Sequence, residues 1–328
     1  MLGIETSCDD TAIAIYHKGN ILANISIIQH IHKKYGGVVP ELASRDHEKK
    51  LLFTLDEALK KANINLYDID AIAFTQGPGL MGALMVGTSF AKGLAMALNL
   101  PLIAVNHLEA HIAAIFIACP KPKFPFLCLL VSGGHTQIIA VLDFDKHMIL
   151  GSTKDDAAGE AFDKIGKLFG LPYPAGKHID DLALKGDATK FNFTSAKMSN
   201  LDFSFSGLKT QVRYFIGKME TEDEHFIKNN LADLCASVQY TIVQDLIAKC
   251  EFALAHKQYH GIGLVGGVSA NTQLRSATAN LAVNYGIESY IPSFEFCTDN
   301  AAMIAMSGLF KYQKQDFVDL SVKAMARF

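Results

Sequence analysis

The chain has 328 residues, half of them apolar and 19% charged, with a formal net charge of −3; that composition excludes disorder and suffices for one sizeable core or two. Thirty Lys and Arg against 33 Asp and Glu leave no global basic excess, so a nucleic-acid partner would have to be held by a local patch. Cys8, Cys119, Cys128, Cys235, Cys250 and Cys297 form no Cys-x-x-Cys pair, which argues against a disulfide framework or zinc ribbon and for small core thiols in a reducing compartment. No charged segment precedes an apolar stretch at Met1, and no apolar run of about 18 residues lacks glycine or charge. The expectation is a cytoplasmic protein without a membrane span.

Short apolar runs alternate with glycines and helical patterns, as in α/β proteins. Strands are predicted at Leu2–Glu5, Ala12–Tyr16 and Ile21–Ile28. An amphipathic helix follows, with Leu51, Leu52, Leu55, Ala58, Leu59 and Ala62 at helical spacing and Glu48, Lys49, Lys50, Lys60 and Lys61 opposite. After a strand at Ala71–Thr75, Gly77-Pro78-Gly79-Leu80-Met81-Gly82 formally matches the dinucleotide fingerprint. The next strand, Leu102–Val105, ends in Asn106-His107 and supplies no acid for a ribose. The segment therefore reads as a glycine turn feeding the helix Ala83–Leu98. No Walker A sequence and no Gly-x-Ser-x-Gly elbow occurs.

His107 and His111 open a predicted helix, and four-residue spacing puts two imidazoles on one face, as a shared metal ion requires. Two polar residues on a solvated face is the plainer reading. A zinc protease is disfavoured, because Glu109 sits two residues after the first histidine, roughly 200° around the helix from it. Asp299, at an expected helix start, is the best-placed oxygen ligand; the alternative is an ordinary N-cap.

Strands at Phe126–Ser132 and Gln137–Leu142 flank Val131-Ser132-Gly133-Gly134-His135-Thr136, which aligns Ser on Ser and Thr on Thr with Thr6-Ser7-Cys8-Asp9-Asp10-Thr11. Matched strand–turn–strand segments suggest a duplicated α/β domain whose turns face phosphate; ordinary hairpins are the alternative. Asp155, Asp156, Glu160, Asp163, Asp180 and Asp181 make the most acidic stretch, suited to ribose hydroxyls or a cation, or simply to solvated helix ends. Lys33-Lys34, Arg45 with Lys49-Lys50, Lys60-Lys61, and Lys209 with Arg213 are the first places to look for RNA contacts. A helical pattern covers Leu231–Ala255, and strands are expected at Gly261–Val265 and Ser289–Ile291. Between those strands, Gly266-Gly267-Val268-Ser269-Ala270-Asn271 is a third glycine turn, opening a helix from Thr272.

Gly3 to Thr11, Thr75 to Leu80, Asn106 to His111, Leu130 to Thr136, Asp155 to Asp163, Phe205-Ser206-Gly207-Leu208-Lys209 and Gly266 to Asn271 together resemble the bacterial tRNA threonylcarbamoyladenosine transferases, once labelled O-sialoglycoprotein endopeptidases. The resemblance runs almost end to end and in order. It implies an α/β, duplicated actin-like (sugar kinase-like) two-lobe fold with a nucleotide cleft between lobes. The lobes are expected at 1–125 and 126–328, the second with a helical insertion around 150–250.

The activity implied is transfer of threonylcarbamoyl from threonylcarbamoyl-AMP to the exocyclic amine of the adenosine 3′ of the anticodon, in tRNAs reading codons that begin with A. By resemblance, His107, His111 and Asp299 hold one divalent ion, iron(II) or zinc(II). Leu130, Val131, Ser132, Gly133, Gly134 and His135, with Asp163, Gly176, Asp180 and Asn271, line the site for threonylcarbamoyl-AMP or an adenine nucleotide. Asp9 and Asp10 are candidates for accepting the amine proton. Implied partners are tRNA, an inactive paralogue forming a heterodimer, a small P-loop ATPase, and a separate synthase supplying threonylcarbamoyl-AMP. The family's Pro-Gly-Gly-Pro turn reads Pro174-Ala175-Gly176-Lys177 here, so Ala175 would strain any positive φ required there. An actin-like small-molecule kinase is the alternative activity, and a non-catalytic nucleotide-binding scaffold a third.

Overall fold

In the computed structural model, which describes residues 1–117 and 121–327, β1 (Leu2–Glu5) is buried along its whole length at the middle of a sheet. Its hairpin partner β2 (Asp10–His17) and then β3 (Asn20–Ile28) lie antiparallel beside it. α1 (Pro40–Ala62) follows, with Pro40 at its first turn and Asn63 closing it in the left-handed conformation. β4 (Ile72–Gly77), α2 (Met81–Leu98) and β5 (Leu102–Asn106) add two parallel strands. The sheet order is β3-β2-β1-β4-β5. α3 (His107–Ala113) starts directly from β5.

β6 (Phe126–Val131), β7 (Thr136–Asp143) and β8 (Lys146–Ser152) repeat the antiparallel run in a second sheet. Four helices follow: α4 (Ala158–Leu168), α5 (Gly176–Ala183), α6 (Ser206–Glu222) and α7 (Phe226–His256). β9 (Gly261–Val265), α8 (Thr272–Tyr285) and β10 (Glu288–Tyr290) then complete the order β10-β9-β6-β7-β8. β9 pairs parallel with β6, and β10 with β9. Each sheet is thus two antiparallel hairpin steps from a central strand plus two parallel additions. The duplication expected from Thr6–Thr11 and Val131–Thr136 holds at the level of topology, and both segments are the first hairpin turn of their sheet.

α9 (Ala301–Gln313) ends the regular structure. Residues 292–328 group with 1–121, and 122–291 form the other unit, so the last helix departs from the expected boundary. The cause is its small, apolar surface: Ala301 and Ala302 bury against Ala12 and Ala14 of β2, and Met303 and Ile304 against Ala73 of β4 and Ile103 and Val105 of β5. A sheet face built of alanines accepts a helix at close range.

β8 was not expected. It is an edge strand with Met148 and Ile149 exposed, so its sequence carries no inside–outside alternation. α1 starts eleven residues earlier than the leucine pattern indicates, because its first buried positions are Ala43 and His47. Cys128, Cys235, Cys250 and Cys297 are buried as expected, Cys8 is half-buried, and Cys119 lies outside the described residues. α2 has the length and apolar character to cross a bilayer; it contains Gly82, Gly87, Lys92 and Gly93 and packs against α1 and β4 as a layer helix.

Candidate functional site

His107 and His111 stand one turn apart on α3, whose first turn is capped by Asn106: its Oδ1 accepts from the amides of Leu108 at 2.9 Å and Glu109 at 3.4 Å. The two rings meet edge to face with centroids 4.7 Å apart. Asp299 brings Oδ1 to 3.4 Å from His107 Nε2 and 3.2 Å from His111 Nε2. The rival reading of Asp299 as an N-cap fails, since Asn300 caps α9 by accepting from the Met303 amide at 3.0 Å.

His111 is fully buried, and neither of its ring nitrogens has a well-formed hydrogen bond. Leaving a buried polar group unsatisfied costs about 1–3 kcal/mol. One ligand atom each from His107, His111 and Asp299 lies within 4.8 Å of the others. Two imidazole nitrogens and a carboxylate oxygen converging in a buried spot are a donor set suited to zinc or ferrous iron. The residues therefore fit a metal ion.

Glu5, which sequence reasoning quoted without assigning a role, stands behind this group. Its Oε2 accepts from Thr75 Oγ1 at 2.6 Å and lies 3.2 Å from His107 Nδ1, and its Oε1 accepts from the Ser7 amide at 2.5 Å. A carboxylate on Nδ1 fixes the tautomer that leaves Nε2 free for a ligand. Burial opposes charge on His107, yet Glu5 and Asp299 flank the ring and push its pKa up to about 10. Burial also opposes charge on both carboxylates, and the adjoining imidazolium nonetheless holds each below its ordinary range.

The β1–β2 turn beside these residues carries Asp9 and Asp10. Burial, then Asp299, Asp9 and Glu5, push the Asp10 carboxyl up to about 8, and its Oδ1 has no hydrogen-bond partner among the described residues. The turn is braced from α1. His47 Nε2 lies 3.0 Å from the Cys8 carbonyl and must carry the proton, while Nδ1, 2.8 Å from Thr11 Oγ1, accepts. Burial lowers the His47 pKa, so the ring stays neutral in this role.

The second unit's glycine turns also converge. At the end of β6, Leu130 and Val131 lead into Ser132, whose amide donates to the His135 carbonyl at 2.8 Å and whose Oγ accepts from the His135 amide at 3.1 Å. Gly133 and Gly134 at the tip are exposed. Gly159, in the first turn of α4, donates its amide to the Ser132 carbonyl at 3.3 Å, and a methyl group there would lie 2.6 Å from that oxygen. Thr136 Oγ1 accepts from the Ala158 amide at 2.9 Å. The β9–α8 turn comes against β6 at Gly266, whose φ of +89° only glycine adopts freely and where a Cβ would strike the Val131 carbonyl.

Asp180 and Asn271 meet through residues not singled out from sequence. Asp180 Oδ1 accepts from Gln239 Nε2 at 3.1 Å and Thr272 Oγ1 at 2.9 Å, and Asn271 Nδ2 donates to Gln239 Oε1 at 2.7 Å. Asn271 Oδ1 also caps α8 at the Leu274 amide, 2.9 Å away. Asp163 accepts from the Ala175 amide at 2.7 Å, tying α4 to the loop before Gly176. Ala175 itself has φ −88° and packs buried beside Gly166, so the departure from Pro-Gly-Gly-Pro introduces no backbone strain.

Other charged segments turn out largely structural. Asp155 accepts from the Phe205 amide at 2.9 Å at the start of α6, and Asp156 pairs with Lys164 at 2.8 Å and Lys209 at 3.3 Å. Asp181 pairs with Lys177 at 3.1 Å. Among the basic clusters, Arg45, Lys50 and Lys60 are paired one turn away with Glu41, Asp46 and Asp56.

A family model described as tRNA N6-adenosine threonylcarbamoyltransferase (TsaD) matches residues 20–306. Proteins of that name from Christiangramia forsetii and Riemerella anatipestifer are 51% and 53% identical, each aligned over 100% of this chain and 97% of the relative. One from Caldicellulosiruptor saccharolyticus is 46% identical over 99% of this chain and 96% of its own. Among solved structures, HypF from T. kodakarensis aligns over 99% of this chain and 49% of its own, with TM-score 0.63 and 12% identity. The Acidaminococcus fermentans (R)-2-hydroxyglutaryl-CoA dehydratase component A covers 96% of this chain and 98% of its own, with TM-score 0.56 and 16% identity. At those identities the structural likeness speaks to fold alone, and it is the actin-like ATPase fold. The chain belongs to the tRNA N6-adenosine threonylcarbamoyltransferase family.

Proposed function

We propose that this protein transfers the threonylcarbamoyl group of threonylcarbamoyl-AMP to the exocyclic amine of the adenosine 3′ of the anticodon, in tRNAs reading codons that begin with A. The observation that carries the reading is the buried His107–His111–Asp299 group backed by Glu5, in a chain matching transferases of this name along its whole length. A phosphoryl-transferring kinase has no use for a paired-imidazole group of this kind.

An iron(II) or zinc(II) ion bound by His107, His111 and Asp299 would supply Lewis acidity toward an oxygen of the threonylcarbamoyl moiety. Glu5 orients His107 and balances its charge. In the second unit, residues 130–135 and the start of α4 present backbone amides suited to the adenylate phosphate. Asp163 and Gly176 shape the neighbouring loop, and Asp180 and Asn271, joined through Gln239, offer oxygens and an amide to ribose hydroxyls. In the reaction the adenosine amine attacks the carbamoyl carbon, the bond from that carbon to the phosphate oxygen breaks, and AMP leaves with the electron pair. Asp9 or Asp10 accepts the proton the amine loses. No covalent enzyme intermediate is required.

The reading includes a cytoplasmic location and three protein partners: an inactive paralogue forming a heterodimer, a small P-loop ATPase, and the synthase that supplies the adenylate. Incubation with these proteins, threonylcarbamoyl-AMP and unmodified tRNA, followed by digestion and mass spectrometry, tests it. The expected result is threonylcarbamoyladenosine; unmodified adenosine with a phosphorylated small molecule would favour the kinase.

A further inference from the structure

Beyond α9 the chain runs back along the first unit, turning at Lys314–Gln315 and Leu320–Ser321 and bending at Ala326. Val318 bridges Leu102 of β5, its amide donating to the Leu102 carbonyl at 2.9 Å. Lys92 Nζ then donates to the Val322 carbonyl at 2.5 Å, Gln76 Nε2 to the Lys323 carbonyl at 3.0 Å, and the Met325 amide to the Gln76 carbonyl at 2.8 Å. The Gly79 amide donates to the Ala326 carbonyl at 3.3 Å. The segment's backbone makes every one of these contacts, so its side chains are left for other work. Val322, Ala324 and Ala326 are half-buried, whereas Lys323, Met325 and Arg327 are exposed. Exposure thus alternates residue by residue from Ser321 to Arg327. Lys323 and Arg327 are both solvent-facing, four residues apart in the same docked segment. Neither has an ion partner among the described residues, and residues 320–327 contain no acid.

This segment is fastened to the loop that supports the metal group. Leu80, next to Gly79, donates its amide to the Ser7 carbonyl at 2.8 Å; the Ser7 amide donates to Glu5, and Glu5 holds His107. The metal group, which includes Asp299, has Glu5, Asp9 and Asp10 beside it, a carboxylate set that repels an RNA backbone. With a net charge of −3, the chain can attract a polyanion only through local cations. Arg45, Lys50, Lys60 and Lys209 are engaged by acids. Lys33, Lys34, Lys49, Lys61 and Arg213 are exposed without an ion partner among the described residues, as Lys323 and Arg327 are, and it is the attachment to the loop behind His107 that singles out the last two.

We propose that Lys323 and Arg327 contact backbone phosphates of the RNA substrate and hold it beside the metal group. This rests on the transferase reading and adds the surface that receives the tRNA. The test is the salt dependence of tRNA affinity for the protein with the partners it needs for transfer, wild type against K323Q/R327Q. Losing two phosphate contacts flattens the plot of log affinity against log salt by about 1.5 and weakens low-salt binding about tenfold. The charge-preserving K323R/R327K protein keeps the wild-type slope, and metal content and threonylcarbamoyl-AMP binding are unchanged in both. An unchanged slope in K323Q/R327Q overturns the contact, as does a parallel loss of metal or adenylate binding. Failure of the wild-type protein to modify tRNA in the same reactions overturns the transferase reading instead.

Discussion

Glu5 Oε2 lies 3.2 Å from His107 Nδ1, joining the end of β1 to the start of α3 across 102 residues of sequence. A carboxylate in this place fixes the ring and raises its basicity toward a metal, and losing such a partner typically costs 10–100-fold in metal affinity. Glu5→Gln keeps the shape and removes the charge. Chelator competition should show metal binding weakened by about that factor, with the fold intact by circular dichroism. Wild-type affinity in this variant would remove Glu5 from the account.

Apart from Asp299 Oδ1 at 3.2 Å, itself a member of the group, no other described residue serves the ring nitrogens of His111. His111→Ala should therefore abolish stoichiometric iron or zinc by elemental analysis, and Asp299→Asn should deplete it. Full metal occupancy in His111→Ala would refute the site.

In metal-free protein the His107 pKa rises from its ordinary 6.5 to about 10. Below about pH 6.5 the ring is protonated folded and unfolded, and the stabilisation from Glu5 and Asp299 is fully present; it is lost as pH rises through about 10. A metal ion needs Nε2 deprotonated. Zinc binding at pH 7.5 should thus release about one proton from His107, a release that fades above pH 10. Calorimetry in buffers of different ionisation enthalpy measures it, and zero release at pH 7.5 contradicts the charged ring.

Gly266 combines φ +89° with a carbonyl where a Cβ would sit. Gly266→Ala should destabilise the protein by about 1–3 kcal/mol in denaturant melts, since strained backbone positions cost that much. Threonylcarbamoyl-AMP affinity should fall with it. A Gly266→Ala protein of wild-type stability would show that the β9–α8 turn does not need glycine.

Sequence pattern located the strands that are buried in mid-sheet, because burial on both faces leaves an unbroken apolar run, as in β6 and β9. It also found the histidine pair, whose geometry is local to one helix turn. Roles that depend on distant contacts were not legible. His47 braces a turn 39 residues away, Gln239 joins Asp180 across 59, and Asp180 reaches Thr272 across 92. Nothing in the spacing of a single chain encodes those pairings. The return of α9 to the first sheet was hidden for the same reason, since an alanine-rich helix fits either unit by composition.

Metal-dependent acyl transfer to RNA is the activity that the His107–His111–Asp299 group and the family membership together imply. Its most direct test is a single-turnover experiment with threonylcarbamoyl-AMP labelled in the threonyl carbon, the partner proteins and unmodified tRNA. The label should pass to adenosine in tRNA with the wild-type protein, and His107→Ala should transfer none while keeping its fold. Transfer at the wild-type rate by His107→Ala, or label that never reaches tRNA with any form of the protein, would contradict it.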